Sequence, residues 1–240
     1  MFSQSWKGDW RGQQPAGDTY TKARKVVRPT GTMMRGLFPS RKNGRMMEFE
    51  GLLERDAMIL FETSSKIVRY REQPIKIRYP DGNRLRLYTP DFELVLCTGE
   101  IILVEIKHHS SLKNEELRHK LDCISRYFLG LHQPFLILTD QAIRQQPRLA
   151  NLYQVCKDLP RIWPTEAALR SRYIQYQSLF PMSYKQANHT LSASQISLSS
   201  LIVSGLVTLD IQQPIETDTQ IQIIKEQMHE SLWIAKEYRF

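Results

Sequence analysis

One stretch constrains this chain more than any other: residues 84–107, RLRLYTPDFELVLCTGEIILVEIK. Two short apolar runs, Phe92 to Cys97 and Ile101 to Val104, flank Thr98-Gly99-Glu100. Runs this short, rich in β-branched, aromatic and aliphatic residues and bounded by turn residues, predict a β-hairpin rather than a helix. Side chains two apart on a strand share a face. Glu105 and Lys107 therefore project together, and Ile106 points the other way into packing. The hairpin returns Asp91, at the start of its first strand, to the same end. Two carboxylates and an ammonium at the end of a buried hairpin are costly unless they pair or hold a metal.

This donor set suits phosphodiester hydrolysis. Two carboxylates hold Mg²⁺, a hard cation that wants oxygen ligands and keeps waters. The metal polarises the phosphate and lowers the pKa of a bound water. A lysine beside it orients that water or offsets the charge of the pentavalent state. Incidental charges on a surface hairpin are the competing reading, because Glu-x-Lys alone is common on exposed strands. Two details favour the site. The chain has one Glu-x-Lys, and it ends an apolar strand. Of the two Pro-Asp pairs, Pro80-Asp81 runs into Gly82-Asn83, a hairpin turn, and only Pro90-Asp91 leads into a strand.

At 240 residues the chain holds one large domain or two small ones, and 41% hydrophobic residues with 10% aromatics is a globular composition. No apolar run reaches the roughly 18 residues of a membrane span, and the N-terminus has no apolar signal region. Cys97, Cys123 and Cys156 are far apart in sequence, with no CxxC or HxxxH spacing to suggest zinc. Their odd number fits a reducing cytosol. The net charge of +8 is concentrated at one end. Residues 1–45 contain Lys7, Arg11, Lys22, Arg24, Lys25, Arg28, Arg35, Arg41, Lys42 and Arg45 against Asp9 and Asp18, and ten minus two is the whole excess. A basic arm over 1–47 has the electrostatic footprint of nucleic-acid binding; a solvated tail is the plainer alternative. Trp6 and Trp10 are possible partner anchors.

Along the chain, 48–62 predicts a helix with Phe49, Leu52, Leu53, Ala57, Leu60 and Phe61 on one stripe and Glu50 and Glu54 beside it. Residues 66–72 predict a strand. Residues 74–79 and 84–89 predict a half-buried hairpin with a basic outer face. After the central hairpin come His108 and His109, then a helix over 111–128, with Leu117, Leu121, Ile124 and Phe128 as core and Lys113, Arg118, Lys120 and Arg126 as candidate phosphate contacts. A buried strand over 134–139 follows, with Asp140 as N-cap of two short helices split by Pro147 and ending near Lys157. Helices alternating with buried strands imply an α/β domain over 48–157 with a mixed sheet and covered faces. Residues 158–164 read as a linker. Within 165–224, three helices and a two-stranded wing suggest a small winged-helix-like domain. No Lys or Arg lies between Lys185 and Lys225, whereas Asp210, Glu216 and Asp218 are acidic. A wing that grips phosphate needs cations, so this module points to protein rather than DNA. The tail, 225–240, offers Leu232, Trp233, Ile234, Tyr238 and Phe240 to a partner or back to this chain.

The ordered set Leu53-Glu54-Arg55-Asp56, Arg71-Glu72-Gln73-Pro74, Thr89-Pro90-Asp91-Phe92, Val104-Glu105-Ile106-Lys107 and Leu138-Thr139-Asp140 resembles the TnsA family over about residues 20–157. The members are transposon-end endonucleases of multi-protein cut-and-paste elements. The resemblance implies a restriction-endonuclease-like nuclease domain followed by a winged-helix-like domain. It implies Mg²⁺, with Mn²⁺ able to substitute, and cleavage of the transposon's 5′ ends while a DDE transposase, TnsB, cuts the 3′ ends. It also implies contact with an AAA+ ATPase, TnsC, through residues 165–240. Position by position, it places the family's metal-site residues on Glu54, Asp91 and Glu105, and the catalytic lysine on Lys107. Some members have glutamine at the Glu105 position, so the ligand pattern here is the fuller one. Gln73 is a further candidate to support the site. Two other functions fit the residues: a stand-alone nuclease for defence or repair, and a non-catalytic DNA-tethered adaptor that recruits the ATPase.

Overall fold

The alternation that predicts the central hairpin also organises the main sheet. In the computed structural model, residues 34–192, 196–224 and 234 are described. β1 (Gly36–Ser40) and β2 (Arg45–Phe49) form a hairpin, and α1 (Leu52–Thr63) follows. Next come β3 (Ile67–Glu72), a second hairpin of β4 (Ile77–Asp81) and β5 (Arg84–Tyr88), and then β6 (Phe92–Leu96) and β7 (Ile101–Lys107). After a 3₁₀ turn the chain continues through α2 (Glu115–Gly130), β8 (Phe135–Thr139), α3 (Asp140–Ile143) and α4 (Arg148–Lys157). The main sheet has the order β3-β6-β7-β8, antiparallel except for the parallel pair β7–β8. It is the mixed sheet that the sequence implies.

Period-two alternation sends Ile102, Val104 and Ile106 of β7 into the core with α1 and α4, while Leu103 packs with Ile124 and Phe128 of α2 on the opposite face. Both faces are thus covered by helices. α2 is N-capped by Asn114, whose Oδ1 accepts from Leu117 N. Asp140 is not an N-cap: it is the first residue of α3, and its Oδ1 accepts from His109 N at 2.7 Å.

Three sequence expectations change. Residues 36–47 are not a lead-in arm. Asn43-Gly44 turns a hairpin whose Phe38, Met47 and Phe49 join the core. Its cations serve the fold. Arg41 donates to the carbonyls of Pro39, Leu159 and Pro160. Lys42 Nζ donates to the carbonyls of Phe61, Ser64 and Ile67, and burial lowers its pKa to about 8. Arg45 makes a two-pronged pair with Glu72. Arg35 pairs with Glu50 at 3.3 Å. Lys7, Arg11, Lys22, Arg24, Lys25 and Arg28, with Trp6 and Trp10, lie outside the described residues. The helix expected over 48–62 starts four residues late, because Glu48 and Phe49 complete β2.

The third change is in the β4–β5 hairpin. Pairing of Arg78 with Leu87 and Pro80 with Leu85 puts Leu85 and Leu87 on the outward face, 70% and 57% exposed. Tyr79 and Tyr88 take the buried face instead. The outer face is therefore apolar as well as basic.

Beyond α4, the chain forms α5 (Glu166–Tyr176), β9 (Met182–Ser183), α6 (Tyr184–Ser192), α7 (Leu198–Val203), β10 (Val207–Thr208) and β11 (Gln220–Ile223). The small sheet has three strands, β10-β11-β9, where the sequence suggested two. Leu201, Ile202 and Ile211 share one core with α1 and α4. Asn151 of α4 fastens the two parts, donating to the carbonyls of Ile211 and Gln213 and accepting from Ile215 N. Ile234 packs back on this core beside Leu60, Leu152 and Ile211. Leu232, Trp233, Tyr238 and Phe240 lie outside the described residues. Among the described residues, no helix is long and apolar enough to cross a membrane.

Candidate active site

The antiparallel register pairs Phe92 with Val104, so Asp91 meets the last turn of β7. Asp91 Oδ2 accepts from Ile106 N at 2.8 Å. Lys107 Nζ lies 2.6 Å from Glu105 Oε1 and 3.7 Å from Asp91 Oδ2. Glu105 is 4% exposed, and its second oxygen accepts from Tyr88 Oη at 2.5 Å. Asp91, Glu105 and Lys107 thus converge as the hairpin predicts.

Glu54 enters from the first turn of α1, where its Oε2 accepts from Glu50 N at 2.8 Å. Its charge is felt by both Asp91 and Lys107. Glu50 itself is turned to Arg35. Of the two helix glutamates, Glu54 is the one coupled to the cluster.

Electrostatics follow from burial and crowding. Burial, then the charge of Glu105, pushes the Asp91 carboxyl up to about 7, although the Lys107 ammonium opposes the shift. Burial raises Glu54 as well. For Lys107, burial works to lower the pKa, but Glu105 and Asp91 outweigh it and hold the ammonium charged. Burial and the neighbouring Glu105 keep the Tyr88 phenol protonated, so it donates. Three carboxylates face one ammonium, and protonation of Asp91 answers the excess.

Does this set fit a hard cation? The donors are oxygen, as Mg²⁺ requires, and their negative charge exceeds the one lysine. Gln73 adds a further observation. It holds a positive φ of 47°, its N donates to Asp91 O at 2.8 Å, and its buried Oε1 has no hydrogen-bond partner among the described residues. A buried acceptor without a donor, on a residue bonded to the Asp91 backbone, is compatible with a site that takes a cation or its waters. The ligand atoms are not gathered, however. Glu54, Asp91 and Glu105 do not form a group within 4.8 Å of one another, whereas Asp81, His119 and Cys123 do. The cause is local: Lys107 Nζ occupies the approach to Glu105, and Glu50 N holds Glu54.

Sequence reasoning missed Tyr88. Its signal was present, because it precedes Pro90-Asp91 on a strand where alternation turns it inward. His108 and His109 stay outside the cluster and fasten the loop to Asp140, His108 Nδ1 at 3.5 Å from Oδ2. Lys120 of α2 lies over the Tyr88 ring at 5.6 Å. Arg126 donates to Asp122 O.

A mixed sheet covered by helices, with an aspartate, a glutamate and a lysine at the ends of neighbouring strands, makes this a mixed α/β domain. Residues 64–140 match the family model described as TnsA-like endonuclease N terminal. That segment, β3 to the first residue of α3, is similar to the N-terminal domain of TnsA-like endonucleases. It contains Asp91, Glu105 and Lys107 but neither Glu54 nor the part beyond α4. No curated protein matches the chain.

Proposed function

We propose that this chain is a Mg²⁺-dependent DNA endonuclease of a transposition complex, which cuts the 5′ ends of the element while a TnsB-type DDE transposase cuts the 3′ ends. The convergence of Asp91 and Glu105 on Lys107 at one strand end carries this reading. Asp91 and Glu105 would hold the ion, with Mn²⁺ able to replace Mg²⁺, and Glu54 would complete the set or hold its waters. When bound, such an ion would lower the pKa of the attacking water and polarise the phosphate. Ile106 N and Tyr88 Oη orient the two carboxylates. Lys107 Nζ, beside both carboxylates, would position the water and offset the charge on the phosphorane. Gln73 supports the site through the Asp91 backbone. The products are a 5′ phosphate and a 3′ hydroxyl.

Residues 165–224, as a winged-helix-like module, and the tail to 240 are proposed to meet the TnsC-type ATPase. The cation-free run between Lys185 and Lys225 supports a protein partner over DNA. Residues 1–33, with six cations, and the outward face of the β4–β5 hairpin are the candidate contacts to transposon-end DNA. A soluble bacterial complex fits this assignment.

The test is the structure of the transposition product. With partners and donor supplied, wild-type protein gives simple insertions, and Asp91→Ala gives cointegrates that carry the donor backbone. Simple insertions from both would remove Asp91 from strand cutting and leave the adaptor function in its place.

A pH effect follows from the raised Asp91. Ion binding needs the carboxylate, and below about pH 7 the metal-free site is protonated there. Binding must then displace a proton, so the Mg²⁺ needed for half-maximal cleavage rises about tenfold per pH unit as pH falls from 7 to 6 and levels off above pH 8. Metal titrations of cleavage across this range read the effect; a flat requirement would separate Asp91 from the ion.

A further inference from the structure

Away from the carboxylates, the fold gathers a second set of ligand atoms, of mixed type. Asp81 ends β4 at the turn of the β4–β5 hairpin. His119 and Cys123 lie one turn apart on α2, at i and i+4, and so share a face. His119 Nε2 is 2.9 Å from Asp81 Oδ1 and 3.6 Å from Cys123 Sγ, and the three ligand atoms lie within 4.8 Å of one another. We propose that Asp81, His119 and Cys123 form a second metal site, for a soft or borderline divalent cation of the zinc class, that clamps the β4–β5 hairpin to α2.

The donor chemistry selects the ion. A thiolate and an imidazole disfavour Mg²⁺ and Ca²⁺ and suit zinc, which takes sulfur, nitrogen and carboxylate oxygen at about 2.0–2.3 Å. An ion bound at His119 Nε2 would take the place of the hydrogen bond to Asp81, with the imidazole N–H carried on Nδ1. Binding would release the thiol proton of Cys123 to solvent. The neighbours are placed as outer partners. Arg86 pairs with Asp81 Oδ2 and leaves Oδ1 for the ion. An Arg126 guanidinium nitrogen lies 3.6 Å from Cys123 Sγ, as a donor that favours thiolate. His119, with its side chain 62% exposed, leaves the fourth position open to water. The His119–Asp81 hydrogen bond accounts for two of the three groups. It does not account for a buried thiol directed at the same imidazole nitrogen.

The location gives the site a consequence. β4 and β5 form their own two-stranded sheet, joined to the body through Tyr79 and Tyr88, which pack with Cys123, Ile124 and Phe128. Tyr88 in turn holds Glu105. A metal clamp at the turn fixes the ribbon that orients this carboxylate.

Cobalt(II) tests the proposal without reference to cleavage. The full chain, carrying Cys97→Ser to remove the exposed thiol, is stripped with chelator, reduced and titrated with Co²⁺. One equivalent should give a thiolate-to-cobalt charge-transfer band in the near ultraviolet with visible bands of four-coordinate geometry, and Zn²⁺ should bleach both. Cys123→Ser should abolish the charge-transfer band. His119→Gln, at an exposed position that folding tolerates, should weaken affinity by about tenfold or more. Asp91→Ala should leave both bands in place. Absence of the band in the parent, its survival in Cys123→Ser with native circular dichroism, or unchanged affinity in His119→Gln would each overturn the site.

Discussion

Lys107→Ala is expected to lower single-turnover DNA cleavage by about 10³-fold or more while leaving the Mg²⁺ requirement no higher than in wild type. The two readouts separate because of where Nζ lies, 2.6 Å from Glu105 and 3.7 Å from Asp91. In the metal-free protein the ammonium competes with a cation for the same carboxylates, so its removal cannot weaken metal binding through charge. Cleavage falls for a different reason. The developing charge on the phosphorane loses a preorganised cation in a buried site, and a group of this kind is worth about 10²–10³ in rate, more where it also positions the nucleophile. Asp91→Ala should differ, raising the Mg²⁺ requirement together with the loss of rate. Stability adds a third readout. Without metal, Lys107→Ala leaves buried carboxylates unpaired and should cost about 2–4 kcal/mol at pH 8. The loss should shrink toward pH 6, because Asp91 takes up a proton through about 7, and it should be restored by Mg²⁺. Cleavage within tenfold of wild type would exclude Lys107 from the chemistry.

Arg45→Ala is expected to destabilise the fold by about 3–5 kcal/mol. Arg45 and Glu72 are 4% and 2% exposed, and both guanidinium nitrogens reach the carboxylate, at 2.8 and 2.6 Å. Truncating Arg45 takes the two-pronged cation away from the buried Glu72 carboxylate. The pair also joins β2 to the end of β3, one residue before Gln73, which donates to Asp91. Denaturant unfolding measures the loss. The double change Arg45→Met with Glu72→Leu should recover most of it, because an apolar pair of similar volume carries no desolvation cost. A loss below about 1 kcal/mol in Arg45→Ala would mean that the pair is not buried in solution. Such a result would return Arg45 to the basic arm, where it would weaken DNA binding in place of stability.

The two experiments sit on either side of the line between sequence and fold. The hairpin of β6 and β7 was legible because period-two alternation needs no partner to be read, and it places Asp91, Glu105 and Lys107 at one end. The main elements from β3 to α4 were legible because strand and helix periodicities are both local. The roles of the early cations were not. Arg41, Lys42 and Arg45 read as an arm for phosphate, yet carbonyls and Glu72 from distant parts of the chain claim them. A charge count records how many cations there are and not what each one faces.

Leu85 and Leu87 show the same limit from the apolar side. Alternation fixed that they share a face, but the packing of Tyr79 and Tyr88 against α2 decided that this face is outward. Glu54 reaches the site from a separate element, over a separation that no local pattern encodes, and alternation turns Tyr88 inward without showing that it meets Glu105. Asp81 meets His119 and Cys123 across 38 and 42 positions for the same reason. By itself the sequence determined the strands, the class of the domain and the acid–acid–lysine end of one hairpin, because these depend on neighbours two to sixteen residues apart. The tertiary structure alone decided which charges are buried and paired, which leucines face solvent and which ligands meet, because burial and pairing are properties of surfaces brought together by the whole chain.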